Sequence, residues 1–424
     1  MTSIASVDAD WALDSRALPT VEVTVTLSDG RSVFAQAPSG ASTGSHESIE
    51  RRDGDPRHFR GKGVQGAISA VREQISNGLR GLDVTDQEGI DHTLIELDGT
   101  EDRSVLGANA MVAVSAACAR AGALSRGIPM WKHLAGDRVP VLPLPMVNMF
   151  SGSLHAAGGM GVQDVLVIPV GAPDLPSSLE WVDDVYHATA DLLAERGAST
   201  LVGDEGGFGA PSRSSEEAID LVTRAITRAG HRPGQEVAIA LDVAATHLLD
   251  DEGRYLLDGR PLEVAGMIDT VAGWLEQYPV VSVEDPLAED DWTGWAQAAE
   301  RFGPGVQLVG DDLLCTRIPR LERAASQGAA NTVLVKANQI GTLSEALAVA
   351  DLARSLGMGA VISARSGETE DDWLADLAVA SGSGQIKVGS VARSERLAKY
   401  NRLLRISRSR DTPPWSGGAA LARS

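Results

Sequence analysis

Val306-Gln-Leu-Val-Gly-Asp-Asp312, a helical stretch, and then Thr332-Val-Leu-Val-Lys336 decide how this chain folds. Each apolar run is strand-like and ends in an ionisable residue, while residues 318–329 carry the Leu/Ala spacing of a helix. Strand, helix, strand is a βαβ unit that presents chemistry at one face. Parallel strands are spaced about 4.8 Å, so a carboxylate and an amine at neighbouring strand ends lie ~5–10 Å apart.

Working outward, the unit repeats. Strands at 165–169, 237–241, 280–283, 360–363 and 384–387 alternate with helices at 177–196, 215–229, 263–277, 343–356 and 370–380. This alternation predicts an α/β fold closed into a (β/α)8-type barrel with helices outside. A doubly wound open sheet is the alternative, but no Gly-rich dinucleotide loop follows any strand. Before the barrel, residues 21–27 and 31–37 flank the turn Ser28-Asp29-Gly30 as a β-hairpin. Helical spacing follows at Val64, Ile68, Val71, Ile75 and Leu79, and residues 106–125 read as an Ala-rich buried helix. The chain therefore divides into an N-terminal α+β domain, 1–137, and a C-terminal barrel domain, 138–424. The small-residue loop 38–46 has little in its sequence to hold it still, and the tail beyond about 407 reads as loosely held.

The net charge of −21 makes a nucleic-acid or anionic-membrane partner unfavourable. An anionic substrate then requires metal ions or a local basic cluster to reverse the field. Cys118 and Cys315 are the only cysteines, the N-terminus lacks the basic and apolar regions of a signal peptide, and no apolar run approaches a membrane span. The expectation is a cytoplasmic protein.

A barrel delivers its strand ends to one mouth. Here they carry Asp242, Glu284, Asp311, Lys336, Arg365 and Lys387. Any one carboxylate alone is more simply a helix cap or a surface ion pair. Three on successive strands, followed by two lysines, form a hard-oxygen site suited to Mg²⁺, whereas zinc would want His or Cys.

Six segments also carry a resemblance: Ser39-Gly-Ala-Ser-Thr-Gly44, Gly203-Asp-Glu-Gly-Gly207, Ser282-Val-Glu-Asp-Pro286, Leu334-Val-Lys-Ala-Asn-Gln-Ile-Gly-Thr342, Arg365-Ser-Gly-Glu-Thr-Glu370 and Arg393-Ser-Glu-Arg396. Together they resemble the enolase family, in register from about residue 14 to 406. The resemblance implies a barrel whose first elements depart from the simple repeat, a homodimer or larger homo-oligomer, and two Mg²⁺ per active site. It implies that Asp242, Glu284 and Asp311 bind the first ion and that Ser42 helps bind the second. Lys336 is then the base that removes the C2 proton, with its pKa pushed down by the nearby cations, and Lys387 supports the substrate carboxylate. Glu205 protonates the departing hydroxide, aided by Asp164; Arg365 and Ser366 hold the phosphate-like group, and His155 lies in a closing loop.

Several departures from the family pattern fall inside that site. Asp164 stands in place of a glutamate, Ala364 in place of a histidine, and Ser151-Gly-Ser-Leu-His155 in place of Asn-Gly-Gly-Ser-His. Ala17-Leu18 replaces Gly-Asn, and His247 replaces a glutamate. One methylene less draws the Asp164 carboxylate back by about 1.5 Å, and displacement of that order costs ~10²-fold. The metal ligands and both lysines are intact. The expectation is a Mg²⁺-dependent hydro-lyase with an altered 2-substituent, favouring 2-(carboxyphosphono)glycerate and carboxyphosphonoenolpyruvate, as in phosphinothricin-type antibiotic biosynthesis. A glycolytic phosphopyruvate hydratase and a non-catalytic scaffold are the alternatives.

Overall fold

The computed structural model describes residues 2–40, 43–152, 159–209 and 214–421. Strands β1 (Ile4–Leu13), β2 (Pro19–Leu27) and β3 (Ser32–Gln36) form an antiparallel sheet in that order. Val21, Val23, Val25 and Leu27 alternate along β2 and are fully buried, packed on helix Ala108–Arg126. Each such side chain contributes about 1.5–3 kcal/mol on burial. The helix's many alanines let the sheet approach its backbone closely. β1 is absent from the sequence reading; its Val7, Asp8, Ala9 and Asp10 alternate buried and exposed, but a register shift between Ile4 and Ser6 breaks the pattern at its start.

Eight strands close the barrel among the described residues: β4 (Leu144–Ser151), β5 (Asp164–Ile168), β6 (Ala238–Asp242), β7 (Val280–Glu284), β8 (Gln307–Gly310), β9 (Thr332–Val335), β10 (Gly359–Ser363) and β11 (Gln385–Gly389). They are hydrogen-bonded in sequence order, and β11 pairs back onto β4. Uniform strand–helix repetition fails at the start. β5 runs antiparallel to both β4 and β6, so the barrel opens with a hairpin before the parallel repeat begins. This inversion places Asp164 at the first residue of its strand, yet at the mouth, opposite Asp242.

Below the mouth, Leu144, Met146, Leu166, Ile168, Val309 and Leu334 fill the interior. The tail corrects another expectation. Trp415, Ala420 and Leu421 pack against that interior, the Trp415 indole donates to the Ala172 carbonyl at 3.0 Å, and the Leu142 backbone donates to the Pro414 carbonyl and accepts from the Ser416 N–H. The tail is held because it covers apolar side chains that the barrel base would otherwise leave open to water.

The described part of the 38–46 loop is likewise anchored. Ser39 donates its hydroxyl to Asp14 at 2.6 Å and exchanges backbone bonds with Gly367, while the Ser45 N–H reaches Glu289 at 2.8 Å. The partners Gly367 and Glu289 lie hundreds of residues away, which is why local composition did not reveal these contacts. No described helix is long and apolar enough to cross a membrane.

Candidate active site

The register of the parallel strands assembles the mouth. Asp242 lies beside Glu284, and Ser363 beside Lys387. The Lys387 ammonium donates to Asp242 Oδ2 and Glu284 Oε2, each at 2.7 Å, and all three side chains are almost fully buried. Lys336 pairs with Asp311, whose other oxygen accepts from Gln339 Nε2 at 2.9 Å. The backbone N–H of Lys336 donates to Thr316 Oγ1 at 3.0 Å, fixing where its strand ends. Gln163 donates to Asp242 at 3.1 Å.

Burial and the Asp242 charge push the Glu284 carboxyl well above its usual range, against the pull of Lys387. The Lys387 ammonium is lowered by burial but carried well above the ordinary lysine value by Asp242 and Glu284. Lys336 corrects an expectation for the protein chain alone. Burial lowers it, with help from Arg365 and Lys387, yet the Asp311 charge outweighs them and the net shift is upward.

Two neighbouring acids were missed by the sequence reading. Asp285, Asp311 and Asp312 bring carboxylate oxygens within 4.8 Å of one another, all three buried. Asp285 accepts the backbone N–H groups of Asp311 and Asp312, at 3.0 and 2.8 Å. It therefore braces the turn that aims Asp311. Burial and the Asp311 charge push Asp312 up to about 8. The only sequence signal was an acid directly following two of the three strand-end acids, Glu284 and Asp311. A divalent cation fits this donor set: every candidate ligand is a buried carboxylate oxygen, and burial with carboxylate repulsion disfavours the ionised forms of Asp285 and Asp312, whereas Lys336 holds Asp311 ionised.

The opposite side of the mouth is built across the two domains. Arg365 pairs with Glu47 through two bonds of 2.9 and 3.1 Å and donates to Asn338 at 2.9 Å. Burial lowers the Arg365 pKa, but the Glu47 and Asp311 charges outweigh it and raise the guanidinium further. Arg16 donates to the Ser366 hydroxyl at 3.1 Å. Arg396 donates to the carbonyls of Arg365 and Val388, at 2.6 and 3.0 Å, pinning the backbone of both strand-end segments. Ala364 is buried, and its N–H donates to the Lys387 carbonyl at 2.8 Å. Glu205 sits in the 203–207 turn, where its carbonyl accepts from Ser390 at 2.8 Å. Gly206 there has φ +84°, and a Cβ would meet the Ala392 carbonyl at 2.5 Å, so glycine is required. Asp164 accepts from Asn148 at 2.6 Å and from the Ser151 hydroxyl at 3.0 Å. Two departures from the family pattern, Asp164 and Ser151, thus bond to each other.

The structure brings Glu205, Asp242, Lys336, Arg365, Ser366 and Lys387 around one cleft. His247 instead is exposed, on the 3-10 turn Ala245–Leu248. Ser42 and His155 lie outside the described residues.

Residues 4–134 match the family described as "Enolase, N-terminal domain", and residues 139–418 match "Enolase, C-terminal TIM barrel domain". The chain belongs to the enolase family. As an enolase it is of an enolase-type lyase family, and its opening β4–β5 hairpin is the departure from a simple barrel that the motif resemblance implied. The enolase mouth described here combines buried carboxylates able to hold a divalent cation with two lysines whose ammoniums already contact them.

Proposed function

We propose that this enolase is a Mg²⁺-dependent hydro-lyase removing water from a glycerate with a phosphorus group at C2. The favoured substrate is 2-(carboxyphosphono)glycerate, giving carboxyphosphonoenolpyruvate. The observation that carries this reading is the division of the mouth. Asp242, Glu284, Asp311, Lys336 and Lys387 keep the family residues in one charge-paired set, whereas Asp164, Ser151 and Ala364, which border that set beside Asp242 and Lys387, depart from the family pattern.

In this reading Lys336 first releases its extra proton to solvent, and the neutral amine then takes the C2 proton, becoming an ammonium again. The C–H electron pair moves toward the substrate carboxylate, where Lys387 offers a buried ammonium. Elimination breaks the C3–O bond, and Glu205 delivers the proton with which hydroxide leaves as water. Arg365 and Ser366 hold the phosphorus group, steadied by Glu47, Arg16 and Arg396. Mg²⁺, held by Asp242, Glu284 and Asp311 with a second ion sharing the substrate, would supply the positive charge that stabilises an enolate-like state. Ala364 leaves space beside the phosphorus group for a larger substituent.

Purified protein with Mg²⁺ is offered 2-phosphoglycerate and 2-(carboxyphosphono)glycerate, and enol product is followed by ultraviolet absorbance. Turnover of the second alone is expected. Robust turnover of 2-phosphoglycerate would make the protein a phosphopyruvate hydratase, and turnover of neither would make it a binding or scaffold protein. Trp11 and Leu13, exposed on the edge strand β1, fit a homodimer or larger homo-oligomer, which gel filtration tests. The free, buried Cys118 and Cys315 fit a cytoplasmic setting.

A further inference from the structure

A second cavity, of about 440 Å³, adjoins the mouth on its N-terminal-domain side. Arg365 lines both, so the two spaces meet at one guanidinium. Arg16, Arg52 and Lys62 add three more cations to the cavity wall, against two acids, Glu47 and Glu50. Both acids are already engaged: Glu47 with Arg365 at 2.9 Å, and Glu50 with Arg52 at 2.9 Å. Among the described residues neither Arg16 nor Lys62 forms an ion pair. The wall therefore carries an excess of two positive charges in a chain whose net charge is −21.

The backbone that carries these groups is held in place. Arg52 donates to the Pro19 and Lys62 carbonyls at 2.6 and 2.8 Å, tying the 62 turn to the sheet. Asp14 accepts the backbone N–H groups of Arg16 and Leu18, each at 2.9 Å. Between them Ala17 has φ +57°, a left-handed conformation costing ~1–2 kcal/mol for a residue with a Cβ. Leu18, a departure from the family pattern, lines the same cavity. The change in sequence thus falls on its wall.

We infer that this cavity is a second anion subsite, receiving a distal acidic group attached to the phosphorus group at Arg365 and Ser366. The inference rests on the reading above for which end of the mouth holds phosphorus. It names the substrate class as one bearing two linked anionic groups, carboxylate- or phosphate-sized, at C2. A space of 440 Å³ also holds such a group together with its waters, each of which occupies about 30 Å³.

Methylphosphonate and phosphonoformate share the phosphonate and differ by one carboxylate. Titration calorimetry of the full-length protein with each, free of divalent cations, measures what the added anion contributes. Phosphonoformate is expected to bind at least about tenfold tighter, equal to ~1.4 kcal/mol. Lys62→Met, at an exposed position, should reduce that ratio toward one. Lys132→Met, which removes an exposed lysine paired with Asp411, should leave the ratio unchanged. Equal affinities in the unaltered protein, no measurable binding of either probe, or a ratio indifferent to Lys62→Met would overturn the inference. If the ratio holds but neither glycerate is dehydrated, the subsite stands and the lyase reading falls. If the carboxyphosphono substrate reacts while the ratio is one, only the subsite falls.

Discussion

At its mouth the barrel buries carboxylates and ammoniums 2.7 Å apart; at its base it buries Leu144, Leu166, Ile168 and Leu334 beneath Trp415. The two ends share strands and differ in what burial does to stability. Removing apolar area from water stabilises the base, at about 25 cal/mol per Å². Taking charges out of water destabilises the mouth unless each has a partner, and the pairing seldom does more than offset the loss. Reactivity therefore sits at the end whose groups are least at ease, and the apolar end carries the fold.

The largest effect that would test this contrast is catalytic. Lys336→Ala should slow exchange of the substrate C2 proton in D₂O by ~10³–10⁴-fold, the upper range for losing a general base, as read by proton NMR. Exchange at an unchanged rate would remove Lys336 from the chemistry.

Next, Lys387→Met leaves Asp242 and Glu284 without their shared ammonium. Stability to urea without divalent cations should fall by about 3–5 kcal/mol, and Mg²⁺ should restore part of it. Loss with no recovery would argue that these acids do not hold the ion.

At the base, Trp415→Ala should cost about 2–3 kcal/mol, somewhat less than truncation of a fully buried tryptophan, because the indole is only partly buried. Mg²⁺ should not restore this loss.

A smaller effect is the pH response. Glu284, Asp285 and Asp312 are raised by burial and by neighbouring carboxylates, Asp312 to about 8. Between about pH 4 and 8 the folded chain then holds protons that the unfolded chain has lost. Stability without metal should fall as pH rises through that window, by up to ~1.4 kcal/mol per pH unit for each proton retained. Saturating Mg²⁺ should flatten the slope, and a flat profile without metal would sink the assignment. Smallest of all, Ala364→His should weaken binding of the carboxyphosphono substrate several-fold, about 1 kcal/mol, by filling the space beside its phosphorus group.

Much of the mouth was legible in the sequence because most of the parallel strands are short apolar runs with an ionisable residue at or just past the end. Asp242, Glu284, Asp311, Lys336 and Lys387 announce themselves this way. What was not legible depends on direction or distance. The inverted β5 places Asp164 by its first residue, and no local pattern distinguishes a strand's sense. Glu47 reaches Arg365 across 318 residues, and Arg16 reaches Ser366 across 350, so neither could be assigned from spacing. The tail looked unstructured from its prolines and glycines, because its order comes from the apolar surface it covers.

Closing the barrel brings Gln385 against Met146, 239 residues earlier in the chain. Contacts so distant in sequence form late, since loop closure must precede any reward from them. During synthesis the strands bearing Asp242 and Glu284 leave the ribosome well before the strand bearing Lys387. A nascent chain therefore has to keep two acids solvated until their ammonium arrives, so the same strand that seals the cylinder also permits those acids to go under.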